Sequence, residues 1–246
     1  RMRILVIGES CKDVYQYGDC VRLCPEAPVP VFQSNRHQTI NGGMAMNVYN
    51  NVSSLCEYPV DLITNENWTE ILKTRLVDFR TNYIVLRVDQ NDADYEKSDI
   101  TKIEFEKYDA VIISDYNKGY LSEDDIEYIA SQHPITFLDT KKILGNWCSN
   151  IMFIKINEFE YERTRHRLGE DMIDKMIITL GPNGAKYKDA LYKVPKVEIK
   201  DTSGAGDTFI SGLVVKYVET RDISVAIKYA NECATAVVQK KGVTIV

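Results

Sequence analysis

The feature that most constrains this chain is an alternation of short, continuously apolar runs with longer segments of helical periodicity. Continuous apolar runs are typical of strands covered on both faces, whereas strands with one wet face alternate apolar and polar residues. Alternation of strand and helix predicts a mostly parallel sheet in a layered α/β fold. The predicted strands are residues 4–7, 60–64, 110–114, 135–138, 152–154 and 176–179. The predicted helices are residues 44–55, 122–132, 157–167, 209–220 and 224–240.

Two stretches interrupt this alternation, at about residues 14–39 and 74–90. The first contains Pro25, Pro28 and Pro30, and both contain short strand-like apolar runs. We interpret both as extended strands outside the main sheet. They form either a small β flap over a site or an edge hairpin of the main sheet.

Composition excludes several classes of protein. The 246 residues suit one domain over 1–246, and the formal net charge of -6 argues against sequence-independent nucleic-acid binding. No apolar run approaches the roughly 18 residues of a membrane span, and the first ten residues lack a signal-peptide cleavage pattern. The six cysteines form no CxxC pair, which predicts reduced thiols in a cytoplasmic protein.

The stretch DTSGAGDTF at residues 201–209 is the strongest candidate for a chemical site. The small residues Gly204, Ala205 and Gly206 allow backbone N–H groups to surround an anion, and the helix that follows directs its positive end to the same place. Asp207, in the first helical turn, is placed to take a proton from a hydroxyl group. The structural alternative is a tight turn followed by a carboxylate at a helix N-terminus.

The same nine residues closely resemble the C-terminal signature of the ribokinase-like (PfkB-type) carbohydrate kinases, and the chain has no GxxxxGK[ST] phosphate loop. The resemblance implies a three-layer α/β/α sandwich with a mostly parallel central sheet and a small β lid. It also implies an ATP-dependent phosphotransferase. In that enzyme residues 204–206 form the anion hole and Asp207 is the catalytic base.

The run NGGMAMN at residues 41–47 resembles the family's sugar-binding turn. This implies substrate contacts from Gly42, Gly43 and Asn47, and a further contact from Asp13 after the first strand. From the residues alone, a capped strand-to-helix turn and a solvated loop carboxylate remain open as alternatives.

Later motifs resemble the family's nucleotide site. The run NEFE implies that Glu160 acts through water on the Mg²⁺ carried by ATP, although a surface glutamate on a helix remains the alternative. The resemblance assigns to ATP binding Asn157, Glu160, Thr179, Gly181, Gly184 and Asn231. Members of the family also differ in a monovalent cation site, which the sequence leaves open.

Within the family, the runs PEAPVPV (25–31) and SDYNKG (114–119) resemble the kinases that phosphorylate D-glycero-β-D-manno-heptose 7-phosphate at its anomeric hydroxyl, a step toward lipopolysaccharide precursors. A phosphorylated sugar needs cationic partners. Lys118 and Lys141 are the first candidates because each follows a predicted strand, and ligands of open α/β sheets bind outside those strand ends. Arg75 and Arg87 are further candidates.

Three expectations stay open at this point. The acceptor could be another sugar or a nucleoside, or the chain could be an idle relative that binds sugar or nucleotide without turnover. Exposed strand edges in the lid predict a homodimer. The segment between residues 64 and 74 is shorter than in the family, and we expect a kinase domain without a nucleotidyltransferase domain.

Overall fold

The computed structural model describes residues 1–240, which form two sheets and six α-helices. In chain order the strands are β1 (Ile4–Gly8), β2 (Lys12–Leu23), β3 (Pro30–Asn41), β4 (Val60–Ile63), β5 (Leu72–Asp78), β6 (Ile84–Gln90), β7 (Ala110–Asp115), β8 (Thr136–Thr140), β9 (Phe153–Asn157), β10 (Met176–Thr179), β11 (Ala185–Tyr187) and β12 (Ala190–Tyr192). The helices are α1 (Met44–Leu55), α2 (Glu123–Gln132), α3 (Glu158–Thr164), α4 (Glu170–Ile173), α5 (Ala205–Thr220) and α6 (Ile223–Val238).

The larger sheet has the strand order β12-β11-β10-β9-β8-β7-β1-β4. Pairing is parallel from β4 through β10 and antiparallel for β11 and β12. All six predicted strands are present in this sheet. The prediction of a mostly parallel central sheet is therefore confirmed.

Helices cover both faces of the larger sheet, which explains the continuously apolar strands. In β1, Ile4 and Val6 pack into a core with α1, α5 and α6, while Leu5 and Ile7 pack into a second core with α2 and α4. All four side chains are fully buried. The three-layer α/β/α sandwich is thus the observed architecture.

Several predicted boundaries differ from the structure by a few residues, and those of β9 and α3 are examples. Strand β9 begins one residue later than predicted. It continues to Asn157, beyond the predicted end, because the charged Lys155 interrupts the apolar run without ending the strand. The helix predicted over 157–167 is α3, and a 3₁₀ turn at Arg165–Arg167 follows it.

The smaller sheet, which we call the lid sheet, has the order β3-β2-β5-β6. Strands β2 and β5 are parallel, whereas β2–β3 and β5–β6 are antiparallel. These strands come from the two stretches that interrupt the α/β alternation, and they pair with each other instead of extending the main sheet. The edge-hairpin alternative is therefore wrong.

Helix α5 is fixed to the main sheet by an aromatic cluster. The ring of Phe137 in β8 lies 5.4 Å from that of Phe153 in β9, and both lie 5.5 Å from Tyr217 in α5. Such pairs contribute about 0.5–1.5 kcal/mol each beyond the area they bury. The start of α5 is thereby held near the carboxyl ends of the parallel strands.

Two smaller expectations concern the state of the cysteines and membrane-spanning segments in the described residues. All six cysteines are free thiols. Among residues 1–240 no helix combines the length and the apolar character needed to cross a bilayer. The last six residues of the domain expected over 1–246 lie outside the described part.

Candidate active site

The start of α5 exposes unpaired backbone donors. Gly204 has a left-handed backbone with φ of 76°, which glycine adopts without strain, and the helix begins at the next residue. Within residues 1–240 the amides of Gly204, Gly206 and Asp207 have no hydrogen-bond partner. Helix starts leave such donors free, and the helix dipole adds partial positive charge. This glycine turn (residues 204–206) has the free donors that the predicted anion hole requires, and its role in binding an anion stays a prediction.

Two cavities meet at the glycine turn. One of 520 Å³, the apolar cavity, is lined by Ala205, Gly206 and Phe209 together with residues of the β10–β11 region and α6. The other, of 510 Å³, is the polar cavity and is lined by Ser203, Gly204 and Asp207. One helical turn thus forms a wall of both cavities.

The polar cavity lies between the lid sheet and the carboxyl ends of the main strands. Lid residues from β2, β5 and β6 form one side, and Tyr116 after β7 lies on the other. Its lining has two carboxylates, Asp13 and Asp207. Five cationic side chains also line it: Lys73, Arg75, Arg87, Lys118 and Lys141. Asp89, Asp92 and Glu160 pair with four of these cations from outside the lining, so the wall itself presents more cationic than acidic side chains, which favours an anionic ligand.

Asp207 reaches the polar cavity from an almost fully buried position, with 7% of its surface exposed. Asn47 Nδ2 in α1 donates to its Oδ2 at 3.3 Å, and the Tyr116 hydroxyl donates to its Oδ1 at 3.2 Å. These two donors come from different layers of the fold. They hold the carboxylate toward the cavity.

The electrostatic surroundings of Asp207 suit a base that works near neutral pH. Burial, followed by the negative charge of Asp139, raises the pKa of Asp207 to about 6. The ammonium of Lys155 and the hydrogen bonds from Asn47 and Tyr116 oppose that rise. A carboxyl group with this pKa is ionised at pH 7 and is a stronger base than an exposed aspartate.

Tyr116 is itself held in place by Glu9, whose buried Oε1 accepts a hydrogen bond from the Tyr116 amide. Burial, followed by the charge of Asp207, raises the pKa of Tyr116, so its hydroxyl stays a donor. Burial and the charge of Asp115 raise the pKa of Glu9 to about 7. The other oxygen of Glu9 has no partner among the described residues.

The residues predicted to bind sugar divide into two groups. Asp13, Gly43 and Asn47 line the polar cavity, and the Asp13 carboxylate pairs with the guanidinium of Arg75. Gly43, with φ of 55°, is the N-cap residue that precedes α1. Gly42 does not line the cavity; its carbonyl accepts from the Cys11 amide at 2.9 Å, and a Cβ there would overlap Met46.

Both lysines predicted to bind a substrate phosphate line the polar cavity. Lys118 Nζ lies 2.8 Å from Asp92 Oδ2, and Lys73 Nζ lies 3.3 Å from the other oxygen of Asp92. Lys141 Nζ lies 3.7 Å from Glu160 Oε2 and 5.7 Å from the centre of the Tyr116 ring. Acidic neighbours therefore anchor these ammonium groups at the cavity wall.

Four of the residues predicted to bind ATP line the apolar cavity. They are Thr179, Gly181, Gly184 and Asn231. Gly184 has φ of 92° and a Cβ there would overlap the carbonyl of Tyr192, so this turn requires glycine. Asn231 Nδ2 donates to that same carbonyl at 3.0 Å.

Asn157 and Glu160 lie outside the two large cavities and cap helix α3. The Asn157 side chain accepts from the Glu160 amide at 2.8 Å, and Glu160 Oε1 accepts from the Asn157 amide at 3.3 Å. Within residues 1–240 no group of three or more His, Cys, Asp or Glu side chains could hold a metal ion directly. A single carboxylate acting through water, here Glu160, is a donor set that suits a Mg²⁺ ion carried by ATP.

Sequence reasoning missed three polar side chains around Asp207 and the polar cavity. These are the Tyr116 hydroxyl, Lys73 in the lid sheet, and Lys155 in β9, which is 7% exposed and lies 3.2 Å from Asp139. Tyr116 follows a predicted strand, which is a signal of a ligand-facing position. The signal for Lys155 is its position beside an apolar run. A lysine there is buried only when it is paired, so this position indicates a buried ion pair.

Comparisons with known proteins identify relatives of this chain. The profile of the pfkB family carbohydrate kinases matches residues 136–246, which include the glycine turn. The bifunctional protein HldE of Helicobacter acinonychis is 31% identical, covering 98% of this chain and 63% of that protein. HldE of Helicobacter pylori strain J99 is 30% identical over the same shares. The chain thus spans 63% of the length of these curated relatives.

Solved structures share the fold at low sequence identity. A ribokinase from Thermotoga maritima superposes with a TM-score of 0.75 at 17% identity, covering 99% of this chain and 95% of that chain. Arabidopsis thaliana ribokinase complexed with ribose and ATP has a TM-score of 0.71 at 14% identity, covering 98% and 94%.

The fold is the ribokinase-like α/β/α sandwich. The chain carries a carbohydrate kinase domain of the PfkB family.

We predict that replacing Tyr116 by Phe shifts the acid limb of the pH profile upward. In the unaltered protein kcat/KM should fall below a pH of about 6, because protonated Asp207 cannot accept a proton. The Tyr116 hydrogen bond lowers the pKa of Asp207, so its loss should raise that pKa. The measurement is kcat/KM between about pH 5 and 8.

Tyr120→Phe is the matched control, since the buried Tyr120 hydroxyl bonds with Ser98 at 2.6 Å. Glu9 titrates in a similar pH range, but both variants contain it. A difference between the acid limbs of the two variants therefore reports on Asp207. An acid limb at the same pH in Tyr116→Phe and Tyr120→Phe would contradict the prediction.

Proposed function

We propose that the chain transfers the γ-phosphoryl group of ATP to a hydroxyl group of a phosphorylated sugar, with heptose 7-phosphate and its anomeric hydroxyl as the leading acceptor. The observation that carries this proposal is the position of Asp207 and the glycine turn between the two cavities. A carboxylate on the acceptor side and free amides where the two cavities meet are the parts that phosphoryl transfer requires.

The chemical step follows from this arrangement. The acceptor hydroxyl gives its proton to Asp207 while its oxygen bonds to the γ-phosphorus. The bond between that phosphorus and the β–γ bridging oxygen breaks, and ADP leaves. The free amides at the start of α5 stabilise the charge on the transferring group.

The nucleotide belongs in the apolar cavity, with its phosphates directed to the glycine turn. The apolar lining from Val194, Pro195 and Phe209 suits a flat base, and Gly181 and Gly184 allow close approach to the backbone. Mg²⁺ bound with ATP would supply charge neutralisation of the phosphates. Glu160 is the residue we assign to it through water, and a monovalent cation stays part of the family expectation.

The acceptor belongs in the polar cavity beneath the lid sheet. Asp13 and Asn47 can hydrogen-bond sugar hydroxyls, and the five cations of the lining favour a substrate that already carries phosphate. The resemblance of residues 25–31 and 114–119 to heptose phosphate kinases supports the particular sugar. A cytoplasmic location belongs to the same proposal, because ATP is available there.

Replacement of Asp207 by Asn tests the proposed function. Turnover of ATP with a panel of sugars and sugar phosphates, including heptose 7-phosphate, should fall by about 10²–10⁴-fold, the usual contribution of a general base. Binding of ATP should persist. Folding should persist as well. A carboxyl group whose pKa is raised in the folded state destabilises that state at pH values above this pKa. The uncharged Asn side chain removes that destabilisation.

The assay is steady-state turnover with Mg²⁺, accompanied by calorimetric ATP binding and urea unfolding at pH 8. Wild-type turnover in Asp207→Asn would exclude the assigned base. Absence of turnover in the unaltered protein for every sugar of the panel would favour an idle relative.

Lys118→Met tests recognition of the substrate phosphate. Loss of a hydrogen bond to a charged group costs about 1.5–3 kcal/mol, so KM for a phosphorylated sugar should rise by about 10–100-fold. KM for the same sugar without phosphate should stay unchanged. Lys102→Met, at an exposed lysine outside the cavity, is the control. Equal changes for both sugars would contradict this role of Lys118.

A homodimer through the lid is the remaining part of the proposal. The lid sheet carries exposed apolar side chains at Ile40, Leu86 and Val88, which are 49%, 54% and 41% exposed. Pairing with a second copy would cover them. Light scattering should then give twice the mass of the chain, and a monomeric mass at micromolar concentration would contradict it.

A further inference from the structure

Lys155 is a buried cation that nothing in the proposed function yet uses. It lies in β9 between Phe153 and Asn157, and its side chain is 7% exposed. Its Nζ donates to Asp139 Oδ2 at 3.2 Å, which is the one hydrogen bond the ammonium makes within residues 1–240. Because an ammonium has three donors, two of them have no protein partner. Burying unpaired donors is costly, which indicates that they serve a ligand.

The ammonium lies directly against the glycine turn. A Cβ added to Gly206 would be 2.8 Å from Lys155 Nζ. Gly206 lines the apolar cavity, whereas the next residue, Asp207, lines the polar one. Lys155 therefore places a positive charge beside the unpaired amides, where the two cavities meet.

The neighbouring carboxylates keep this ammonium charged. Burial by itself disfavours the charged form, but Asp139 and Asp207 outweigh it and raise the pKa of Lys155. Asp139 is 8% exposed and belongs to β8. The other groups that act on the Asp207 carboxylate are Asn47 from α1 and Tyr116 after β7.

A second buried lysine provides the contrast. Lys142 Nζ lies 3.2 Å from Asp115 and 3.0 Å from Asn117 Oδ1, so two protein groups pair with it. It lines a small cavity of 10 Å³ together with Lys155, and neither lysine is among the residues that line the two large cavities, so the contrast lies in their partners and in the contact of Lys155 with the glycine turn. Lys142 thus has the contacts of a structural ion pair, whereas the ammonium of Lys155 pairs with fewer protein groups among the described residues.

We propose that Lys155 is a catalytic residue whose ammonium binds the phosphoryl group during its transfer, and that Asp139 is the positioning residue that holds it. The proposal rests on the proposed function, because it places the phosphoryl group at the glycine turn. The acceptor oxygen bonds to phosphorus, the bond to the bridging oxygen of ADP breaks, and the proton goes to Asp207. Lys155 keeps its own proton and supplies charge only.

The test compares Lys155→Met with Lys142→Met. Loss of a donor that stabilises transition-state charge costs about 10²–10³-fold in kcat, so Lys155→Met should lose turnover by this factor. Lys142→Met should keep kcat within about threefold of the unaltered protein, since a change of that size is below 1 kcal/mol. Urea unfolding of both variants checks that the fold is retained.

Binding gives a readout that does not depend on turnover. Calorimetry with Mg²⁺ compares ADP with AMP-PNP, an ATP analogue that keeps the γ-phosphoryl group. In Lys155→Met the affinity for AMP-PNP should fall by about tenfold, the worth of one charge-assisted contact, while the affinity for ADP changes little. Lys142→Met should preserve both affinities.

Wild-type kcat in Lys155→Met, or an equal loss of affinity for ADP and AMP-PNP, would overturn the proposal and leave a structural ion pair with Asp139. If Lys155→Met does not fold, Lys155→Gln takes its place with the same expectations. Asp207→Asn, assayed in parallel, separates the two proposals. Wild-type turnover in Asp207→Asn would remove Asp207 as the base of the proposed function, whereas loss of turnover in Asp207→Asn beside an active Lys155→Met would overturn only the role of Lys155.

Discussion

The site depends on where helix α5 begins. Gly204 adopts a left-handed backbone, and the helix that follows is buried along most of its length against α1, α6 and the aromatic cluster of the main sheet. Its first turn therefore cannot shift without disturbing the core. Because that turn forms a wall of two cavities, its free amides and the carboxylate of Asp207 face both cavities from one rigid element. Rigid placement of donors and base is what phosphoryl transfer demands of a protein.

A buried carboxylate is useful as a base only if its charge is balanced. Burial and Asp139 raise the pKa of Asp207, and without opposition they would raise it further. Lys155, Asn47 and Tyr116 oppose the rise from three separate elements, β9, α1 and the loop after β7. The three-layer fold brings these elements to one edge of the sheet, where the carboxyl ends of parallel strands meet.

The sequence predicts the parallel sheet and the glycine turn because both are local patterns. Apolar runs mark the strands, and the spacing of Gly204, Gly206 and Asp207 lies within one helical turn. The contact between Tyr116 and Asp207 joins residues 91 positions apart, and local pattern does not encode it. Lys155 interrupts an apolar run, so its strand is predicted too short. The pairing of β2 with β5, which builds the lid sheet, is likewise long-range.

The most direct test is a crystal structure of the unaltered protein with AMP-PNP, Mg²⁺ and an acceptor sugar. The γ-phosphoryl group should contact the amides at the start of α5, and one sugar hydroxyl should lie within about 3.2 Å of the Asp207 carboxylate. Nucleotide phosphates bound away from the glycine turn, or a sugar whose hydroxyls all lie beyond reach of Asp207, would contradict this account of the site.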